Sequence, residues 1–205
     1  MGVWTDHVFP RVVDRVLRTP EVNARRALVC GGLHGRVLEI GFGSGLNLRH
    51  YPAGVTEILI VEPSAVALRL AQPRLAAVDA PVTQVGVDGA SLELPDESVD
   101  CVLSTYTLCT IPEVTDALEE VHRVLRPNGV LHFLEHGRAP TESVRRWQRR
   151  LHPAHSRIAG GCNIERPIDD LISAAGLVID ELETGYGDGP RPLSYLYRGR
   201  ASRHA

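Results

Sequence analysis

The chain has 205 residues, of which 43% are hydrophobic and 23% are charged, as in a globular protein with one core. A net charge of -3 argues against a protein that binds nucleic acid through a strongly basic surface. Four cysteines without CxxC spacing argue against a zinc site or a disulfide framework, and no apolar run reaches the roughly 20 residues of a membrane span.

The N-terminus does not read as a signal peptide, because an acid comes early and no long apolar core follows. We therefore expect a cytoplasmic protein with no nucleic-acid partner, no bound metal and a single domain over residues 1–205. Within it, residues 1–30 are expected to form a helical cap, and residues 136–166 a lid on the acceptor side. The sequence leaves the oligomeric state open.

Short apolar runs alternate with segments of helical period, which predicts a mostly parallel sheet covered on both faces. Helical segments are predicted at residues 8–29, 64–75, 114–125 and 141–157. Strands are predicted at residues 37–40, 58–61, 82–87, 99–105, 130–134, 177–182 and 195–199. The last two strands are expected to form a hairpin. The predicted fold class is therefore α/β, a doubly wound, mostly parallel seven-stranded sheet with an antiparallel edge strand.

A glycine-rich turn follows the first strand, with the sequence Glu39-Ile40-Gly41-Phe42-Gly43-Ser44-Gly45. Glycines let a backbone turn sharply and come close to a ligand. Leu46 stands where the dinucleotide fingerprint needs a third small residue, which argues against a nicotinamide cofactor. The carboxylate of Glu39 would repel a pyrophosphate but would tolerate the ammonium group of an amino-acid ligand.

Three further strand ends carry residues suited to a nucleoside. Glu62 ends the second strand, where a carboxylate can accept both ribose hydroxyls. Asp88 follows the third strand and can accept from an adenine amino group, and the segment 105–108 after the fourth strand can form a wall beside the ligand. Each feature alone also fits a surface acid or an ordinary turn. Their occurrence in order at successive strand ends favours a nucleoside-binding edge.

The run over residues 36–135 resembles the class I methyltransferases that use S-adenosylmethionine (SAM), a group that includes the quinone-biosynthesis C-methyltransferases. The resemblance rests on the segments VLEIGFGSG, DGASLELPDESVD and EVHRVLRPNGVLHFLEH, together with Glu62. It implies SAM as cofactor, S-adenosylhomocysteine as product and a Rossmann-like fold. The implied cofactor contacts are Glu39, Gly41, Phe42, Gly43, Gly45, Asn47, Glu62, Pro63, Asp88, Gly89, Ala90, Thr105 and Leu108. Phe42 stands where a small residue or Cys is common in the family, and its ring is expected to line the cofactor pocket.

A narrower resemblance, to the thiol S-methyltransferase group and its bacterial relatives, covers nearly the whole chain. It rests on Thr107-Leu108-Cys109, Glu135-His136, Trp147-Gln148, Pro153, Gly161-Cys162-Asn163 and Arg166. The animal members carry an N-terminal membrane anchor, and no apolar run of that kind stands in this sequence. Membrane association and the substrates of those members are therefore not expected to transfer directly.

The residues expected to bind the acceptor are Tyr106, Cys109, Trp147, Asn163 and Arg166. His136 is the candidate base, because it follows a strand end and imidazole titrates near neutrality. The alternatives are a histidine bonded to backbone or solvent, inert buried cysteines, and a role for Asn163 and Arg166 in fixing their loop.

Residues 141–157 form a helical segment in which four arginines between positions 144 and 152 flank Val144, Trp147 and Leu151, three apolar residues at helical spacing on one face. This pattern fits a lid whose apolar side packs inward and whose arginines are solvated, and we prefer that interpretation. The alternative is an interfacial helix that touches anionic lipid. In the first helical segment, Arg25 and Arg26 are expected on a solvated face.

These observations predict methyl transfer from SAM by in-line displacement to a small-molecule acceptor, a thiol or a hydrophobic metabolite. One alternative is a lipid or quinone methyltransferase in contact with a membrane surface. A second is a non-catalytic module that binds SAM and supports a partner protein.

Overall fold

The computed structural model describes residues 2 and 4–204, with the backbone alone at positions 5 and 6. The strands are β1 Gly35–Ile40, β2 Val55–Val61, β3 Val82–Gly86, β4 Val99–Thr105, β5 Leu125–His136, β6 Val178–Tyr186 and β7 Tyr195–Ser202. The α-helices are α1 Phe9–Val16, α2 Pro20–Cys30, α3 Ala65–Leu75, α4 Val114–Val124, α5 Glu142–Ile158 and α6 Ile168–Ala174. A single π-helical turn, Trp4–Val8, precedes α1.

The strands form one seven-stranded sheet in the order β3-β2-β1-β4-β5-β7-β6. The pairs from β3 to β5 are parallel, whereas β7 runs antiparallel to both β5 and β6. The predicted fold class and the predicted hairpin of the last two strands are confirmed. The chain reverses its winding between β1 and β4, and in open α/β sheets ligands bind in the crevice at the carboxyl ends of such strands.

The hydrophobic core lies on both faces of this sheet. Alternate side chains of a strand point to opposite faces, so Leu38 joins one cluster and Val37 the other. The first cluster includes residues of α4 and α6, and the second includes residues of α2 and α3. Burial on both faces explains why the central strands are almost continuously apolar.

Three local features differ from the sequence prediction. The segment predicted as one helix over residues 8–29 is two helices, because the Thr19 hydroxyl accepts from the Val22 N–H and Pro20 starts a new helix. The glycine turn leads into a single 3₁₀ turn, Leu48–His50, rather than an α-helix. Helix α6 was not predicted, because seven residues are too few to display a helical period.

Helix α1 contacts the glycine turn, and the segment before it contacts the end of α5. Asp14 of α1 accepts hydrogen bonds from the Ser44 hydroxyl at 2.6 Å and from Arg74 at 3.0 Å. Trp4, just before α1, donates from Nε1 to the carbonyl oxygen of Ile158 at the end of α5 (3.3 Å). Within the part of the chain that the structure describes, no helix has both the length and the apolar character needed to cross a membrane.

Candidate active site

The glycine turn after β1 needs glycine for two physical reasons. Gly41, Gly43 and Gly45 all have positive φ angles, of 72°, 59° and 75°, which side chains disfavour. A Cβ atom at Gly41 would lie 2.1 Å from Oγ1 of Thr107. At Gly43 the nearest such contact is 3.9 Å away, the carbonyl oxygen of Gly41. The turn therefore offers bare backbone toward open space at this point.

Glu62 is bonded directly to the glycine turn. One carboxylate oxygen accepts from the Gly43 N–H and the other from the Ser64 N–H, both at 2.7 Å. The residue is 7% exposed, and burial raises its pKa, although the two backbone N–H groups oppose that shift. Each oxygen keeps a lone pair for a further donor, so this carboxylate fits the two hydroxyls of a ribose.

A buried polar network lies beneath the turn. Glu39 accepts from the Asn47 amide at 2.8 Å and from the Tyr51 hydroxyl at 2.7 Å. Arg26 donates to the Asn47 amide oxygen at 2.7 Å and to the Thr105 hydroxyl at 2.8 Å. Burial raises the pKa of Glu39 to about 7, and Tyr51, Asn47 and Arg26 hold it from rising further.

This network bears on two sequence predictions, the solvent exposure of Arg26 and the cofactor contacts of Glu39, Asn47 and Thr105. Arg26 was expected on a solvated face, but it is 4% exposed, because its helix packs its guanidinium against the strand ends. Its Nε atom is buried and has no hydrogen-bond partner among the described residues. Glu39, Asn47 and Thr105, predicted as cofactor contacts, are largely engaged with one another and with Arg26.

The remaining predicted cofactor residues divide between the surface and the core. Asp88 is exposed and accepts from the Ala90 N–H at 2.9 Å, and a Cβ atom at the buried Gly89 would lie 2.8 Å from Ile40. Pro63 is exposed in the loop before α3. In contrast, two side chains predicted to contact the cofactor lie in the hydrophobic core, namely those of Phe42 and Leu108.

The correction at Phe42 has a simple cause. Its ring lies against the turn at Gly45, where a Cβ atom would be 2.9 Å from the ring, and it packs in the cluster with Val37. The ring therefore packs in the hydrophobic core against the turn. Leu108 is likewise fully buried, so only its backbone is available to other groups.

Glu135 at the end of β5 fixes the loop after β4. Its carboxylate accepts from the Ser104 hydroxyl at 2.7 Å, the Thr107 N–H at 3.0 Å and the Cys109 N–H at 3.1 Å. Tyr106, in the middle of this loop, has a φ angle of 57°, an uncommon value for a side chain of its size. The buried acid thus holds a tight loop against the glycine turn.

The structure brings three predicted acceptor-side residues together at this loop. The rings of Tyr106 and His136 are 5.1 Å apart, and burial raises the pKa of Tyr106 to about 12. The thiols of Cys109 and Cys162 are 3.6 Å apart, and Cys162 Sγ is 4.0 Å from Nδ1 of His136. Hydrogen bonding with Cys109 and His136 holds the pKa of Cys162 below its usual range despite burial. Cysteine spacing argued against a zinc site, and it did not predict that two thiols and an imidazole lie together here.

Asn163 and Arg166 fix the loop that carries Cys162. The Asn163 N–H donates to the carbonyl oxygen of Cys109 at 2.7 Å, and its side chain accepts from the Glu165 N–H at 3.0 Å. Arg166 donates from Nη1 to the carbonyl oxygen of Leu108. These contacts match the loop-fixing alternative considered from the sequence.

Trp147 lies outside this group of residues. Its side chain is 53% exposed beneath the guanidinium of Arg150, so the prediction that it packs inward with Val144 is wrong. The inward position belongs to Gln148, which is fully buried. Gln148 donates to the carbonyl oxygens of Gly137 and Ile164 and accepts from the Ala139 N–H, at 2.9–3.0 Å.

Sequence reasoning missed the parts played by Arg26, Glu135 and Gln148. Glu135 carried a usable signal, since an acid directly after a buried strand at the carboxyl edge resembles the pattern at Glu62. Arg26 and Gln148 stand in helices rich in arginine, where no neighbouring residue marks them as buried.

A family model described as a methyltransferase domain matches residues 38–133. The human thiol S-methyltransferase TMT1B is 34% identical over 143 residues, which are 66% of this chain and 57% of that protein. The phosphatidylethanolamine N-methyltransferase of Cereibacter sphaeroides is 31% identical over 104 residues, 50% of this chain and 51% of that protein. The chain spans about half the length of the curated relatives that it matches.

The fold is that of known methyltransferases. A solved S-adenosylmethionine-dependent methyltransferase from Mesorhizobium loti superposes with a TM-score of 0.66 at 20% identity, over 91% of this chain and 99% of that one. A methyltransferase domain on this fold implies SAM as the cofactor.

Proposed function

We propose that this chain is a SAM-dependent methyltransferase that transfers a methyl group from SAM to a small-molecule thiol. The observation that carries the proposal is the hydrogen bond from the Gly43 N–H to Glu62, which joins the glycine turn and the ribose-binding acid at one strand edge. The cofactor supplies an activated methyl group on a sulfonium, so the protein mainly binds and positions the reactants.

The residues present fit this cofactor. Glu62 suits the ribose hydroxyls, and the bare backbone at Gly43 leaves space for the ligand chain. The unpaired Nε of Arg26 suits the amino-acid carboxylate, and Asp88 has one carboxylate oxygen free of the turn for an adenine amino group. These roles are proposals that rest on the chemistry of each group.

The acceptor side supports a thiol. The half-buried rings of Tyr106 and His136 lie next to the buried thiols of Cys109 and Cys162, beside the loop that contacts Gly41. A thiol is partly ionised near neutrality and needs little help from a base. The human relative named above is a thiol S-methyltransferase, which agrees with this choice.

A second candidate function is methylation of a lipid at a membrane surface. One observation favours it: Trp4, Val8, Val12 and Val16 repeat every four residues along the N-terminal helical segment and are 38–59% exposed. Such an apolar stripe, near the arginine-rich α5, is suited to an interfacial helix. The bacterial relative that methylates phosphatidylethanolamine supports the same alternative.

Product analysis with a labelled methyl donor separates the two candidates. The purified protein is incubated with methyl-labelled SAM and, in turn, a small aromatic thiol, a quinol and vesicles that contain phosphatidylethanolamine. We expect label in the thioether product. Label confined to the lipid or the quinol would contradict the thiol proposal.

The matched control for this assay is Gly43→Val. Its side chain would project into the space beside the turn from a φ angle that valine disfavours, so transfer to every acceptor should cease. Circular dichroism of the variant checks that the fold persists. Unchanged transfer by the variant would contradict the assignment of the glycine turn to the cofactor site.

A further inference from the structure

Cys109, His136 and Cys162 place three metal-binding atoms in one cluster. The two Sγ atoms and an imidazole nitrogen all lie within 4.8 Å of one another, and two of the residues are buried. Cys109 follows β4, His136 ends β5 and Cys162 follows α5. The cluster therefore exists only in the folded chain, which is why cysteine spacing gave no sign of it.

Two of the three separations in the cluster are close to those around a tetrahedral zinc ion, and the third is below 4.8 Å. Zinc binds thiolate sulfur at about 2.3 Å and imidazole nitrogen at about 2.0–2.1 Å. Tetrahedral bonds of those lengths separate two sulfurs by about 3.8 Å, and a sulfur from a nitrogen by about 3.6 Å. The observed separations are 3.6 Å between the sulfurs and 4.0 Å between Cys162 Sγ and His136 Nδ1. Small side-chain shifts would admit the ion.

The backbone around Cys109 is already fixed. Its N–H donates to Glu135 at 3.1 Å, and its carbonyl oxygen accepts from the Asn163 N–H at 2.7 Å. The latter bond ties the two loops that carry the cysteines to each other. Groups that orient a ligand in this way are a regular part of protein metal sites.

We propose that Cys109, His136 and Cys162 bind one Zn²⁺ ion whose fourth coordination position takes the thiolate of the acceptor. Three protein ligands and an open position are typical of catalytic zinc, whereas structural zinc has four protein ligands. His155 also approaches Cys162, but its Nδ1 faces the carbonyl oxygen of that residue at 3.4 Å. The second half of the proposal, the bound acceptor, rests on the proposed function.

The position of the cluster suits an acceptor. Thr107 contacts Gly41 of the glycine turn, with Oγ1 3.5 Å from the carbonyl oxygen, and Cys109 lies two residues further along the same loop. Two thiolates neutralise the charge of the ion, and the guanidinium of Arg166, which binds the neighbouring Leu108 carbonyl, can balance a third thiolate. The site is thus close to the cofactor turn and electrostatically suited to one anionic ligand.

The chemistry of the bound acceptor requires no oxidant or reductant. A thiol that binds the ion releases its proton to solvent and stays on the metal as a thiolate, with its sulfur electron pairs retained. The thiolate is the nucleophilic form of sulfur. Zinc would therefore do for the acceptor what a general base does in other transferases.

Metal content and cobalt substitution test the site directly. The reduced full-length protein is loaded with Zn²⁺ and separately with Co²⁺, passed through a desalting column, and analysed for metal and for visible absorption. We expect one ion per chain and the thiolate-to-cobalt and ligand-field bands of four-coordinate Co²⁺. Reduced protein that retains no metal overturns the proposal. The same holds if the two thiols only form a Cys109–Cys162 disulfide in air and bind no ion when reduced.

Variants locate the ion. Cys109→Ala and Cys162→Ala should each lower retained metal by at least about tenfold, since each removes one of only three protein ligands. The matched control is Cys101→Ala, because Cys101 is also buried and its sulfur lies 3.6 Å from Nδ1 of His34, but among the described residues no second thiol forms a three-ligand group with that pair. Equal metal retention in all three variants overturns the assignment, and the wild-type cobalt spectrum tests it even if a variant fails to fold.

Two further readouts separate this proposal from the proposed function. Addition of 2-mercaptoethanol to the cobalt protein should strengthen the thiolate-to-cobalt band, and an unchanged spectrum overturns the acceptor role. Methylation of a thiol by metal-free protein overturns the acceptor role of the ion and leaves the proposed function intact. A zinc-loaded protein that methylates no thiol supports the metal site but overturns the acceptor role together with the proposed function.

Discussion

Glu39 carries a buried carboxyl group that accepts hydrogen bonds from two neutral side chains and lies near the guanidinium of Arg26. The Asn47 amide and the Tyr51 hydroxyl donate to its two oxygens, and Arg26 donates to the same Asn47. Burial raises its pKa from the ordinary 4.5 to about 7. The free energy of unfolding therefore depends on pH through this residue.

The sign of that dependence follows from proton uptake. Between about pH 4.5 and about pH 7 the folded protein keeps a proton on Glu39 that the unfolded chain has lost, so stability falls as pH rises. Relative to Glu39→Gln, the wild type should lose up to about 3 kcal/mol of unfolding free energy across that window. Urea unfolding of both proteins at several pH values measures the difference. Parallel stability curves would contradict the assignment.

Glu62 is expected to contribute to cofactor affinity. Glu62→Ala removes the acceptor for two ribose hydroxyls and the hydrogen bond that holds Gly43, so binding of S-adenosylhomocysteine should weaken by about 1–3 kcal/mol. Calorimetric titration measures the change. Glu119→Ala, which alters an exposed acid on α4, is the control and should bind like the wild type. Equal affinity in both variants would show that Glu62 does not touch the ligand.

For individual residues, the sequence predicted position at the site better than it predicted hydrogen-bond partners. The pairing of Gly43 with Glu62 follows from strand order alone, because parallel strands end at the same edge. The buried network of Glu39, Asn47 and Arg26 depends on how α2 packs against the sheet. That packing brings Arg26 to Asn47, 21 positions further along the chain. No local pattern reports it.

Helix α5 is anchored by Gln148 and leaves Trp147 exposed. Gln148→Ala would leave two carbonyl oxygens and one N–H buried without partners, so it should destabilise the protein by about 3 kcal/mol. Trp147→Ala, one position away, should cost about 1 kcal/mol or less, because the ring is half exposed and contacts mainly Arg150. Urea unfolding compares them, and equal losses would contradict this account of the helix.

The same helix shows what sequence periodicity misses. Apolar spacing placed Trp147 inward with Val144, whereas an amide occupies the buried position because three backbone groups there need partners. The strands were easier to predict, since side chains of β1, β2 and β4 are buried on both faces and form apolar runs. Short elements such as α6 carry too few residues for any period.

At the scale of the whole molecule, α1 and the segment after α5, which are far apart in sequence, lie in contact with each other. The ring of Phe9 in α1 packs against Gly160, which follows α5. A Cβ atom at Gly160 would lie 2.2 Å from that ring, so glycine at this position allows the contact. Cys109 and Cys162 come together there across 53 positions of sequence. Such contacts depend on the assembled sheet, and for that reason the cysteine pair could not be predicted from spacing.

Calorimetric titration of the purified protein with SAM, S-adenosylhomocysteine and NADH in parallel tests the central claim most directly. The glycine turn, Glu62 and the unpaired Arg26 Nε predict micromolar binding of the first two ligands and none of NADH. Folded protein that binds neither SAM nor S-adenosylhomocysteine, or that binds NADH instead, would contradict the account.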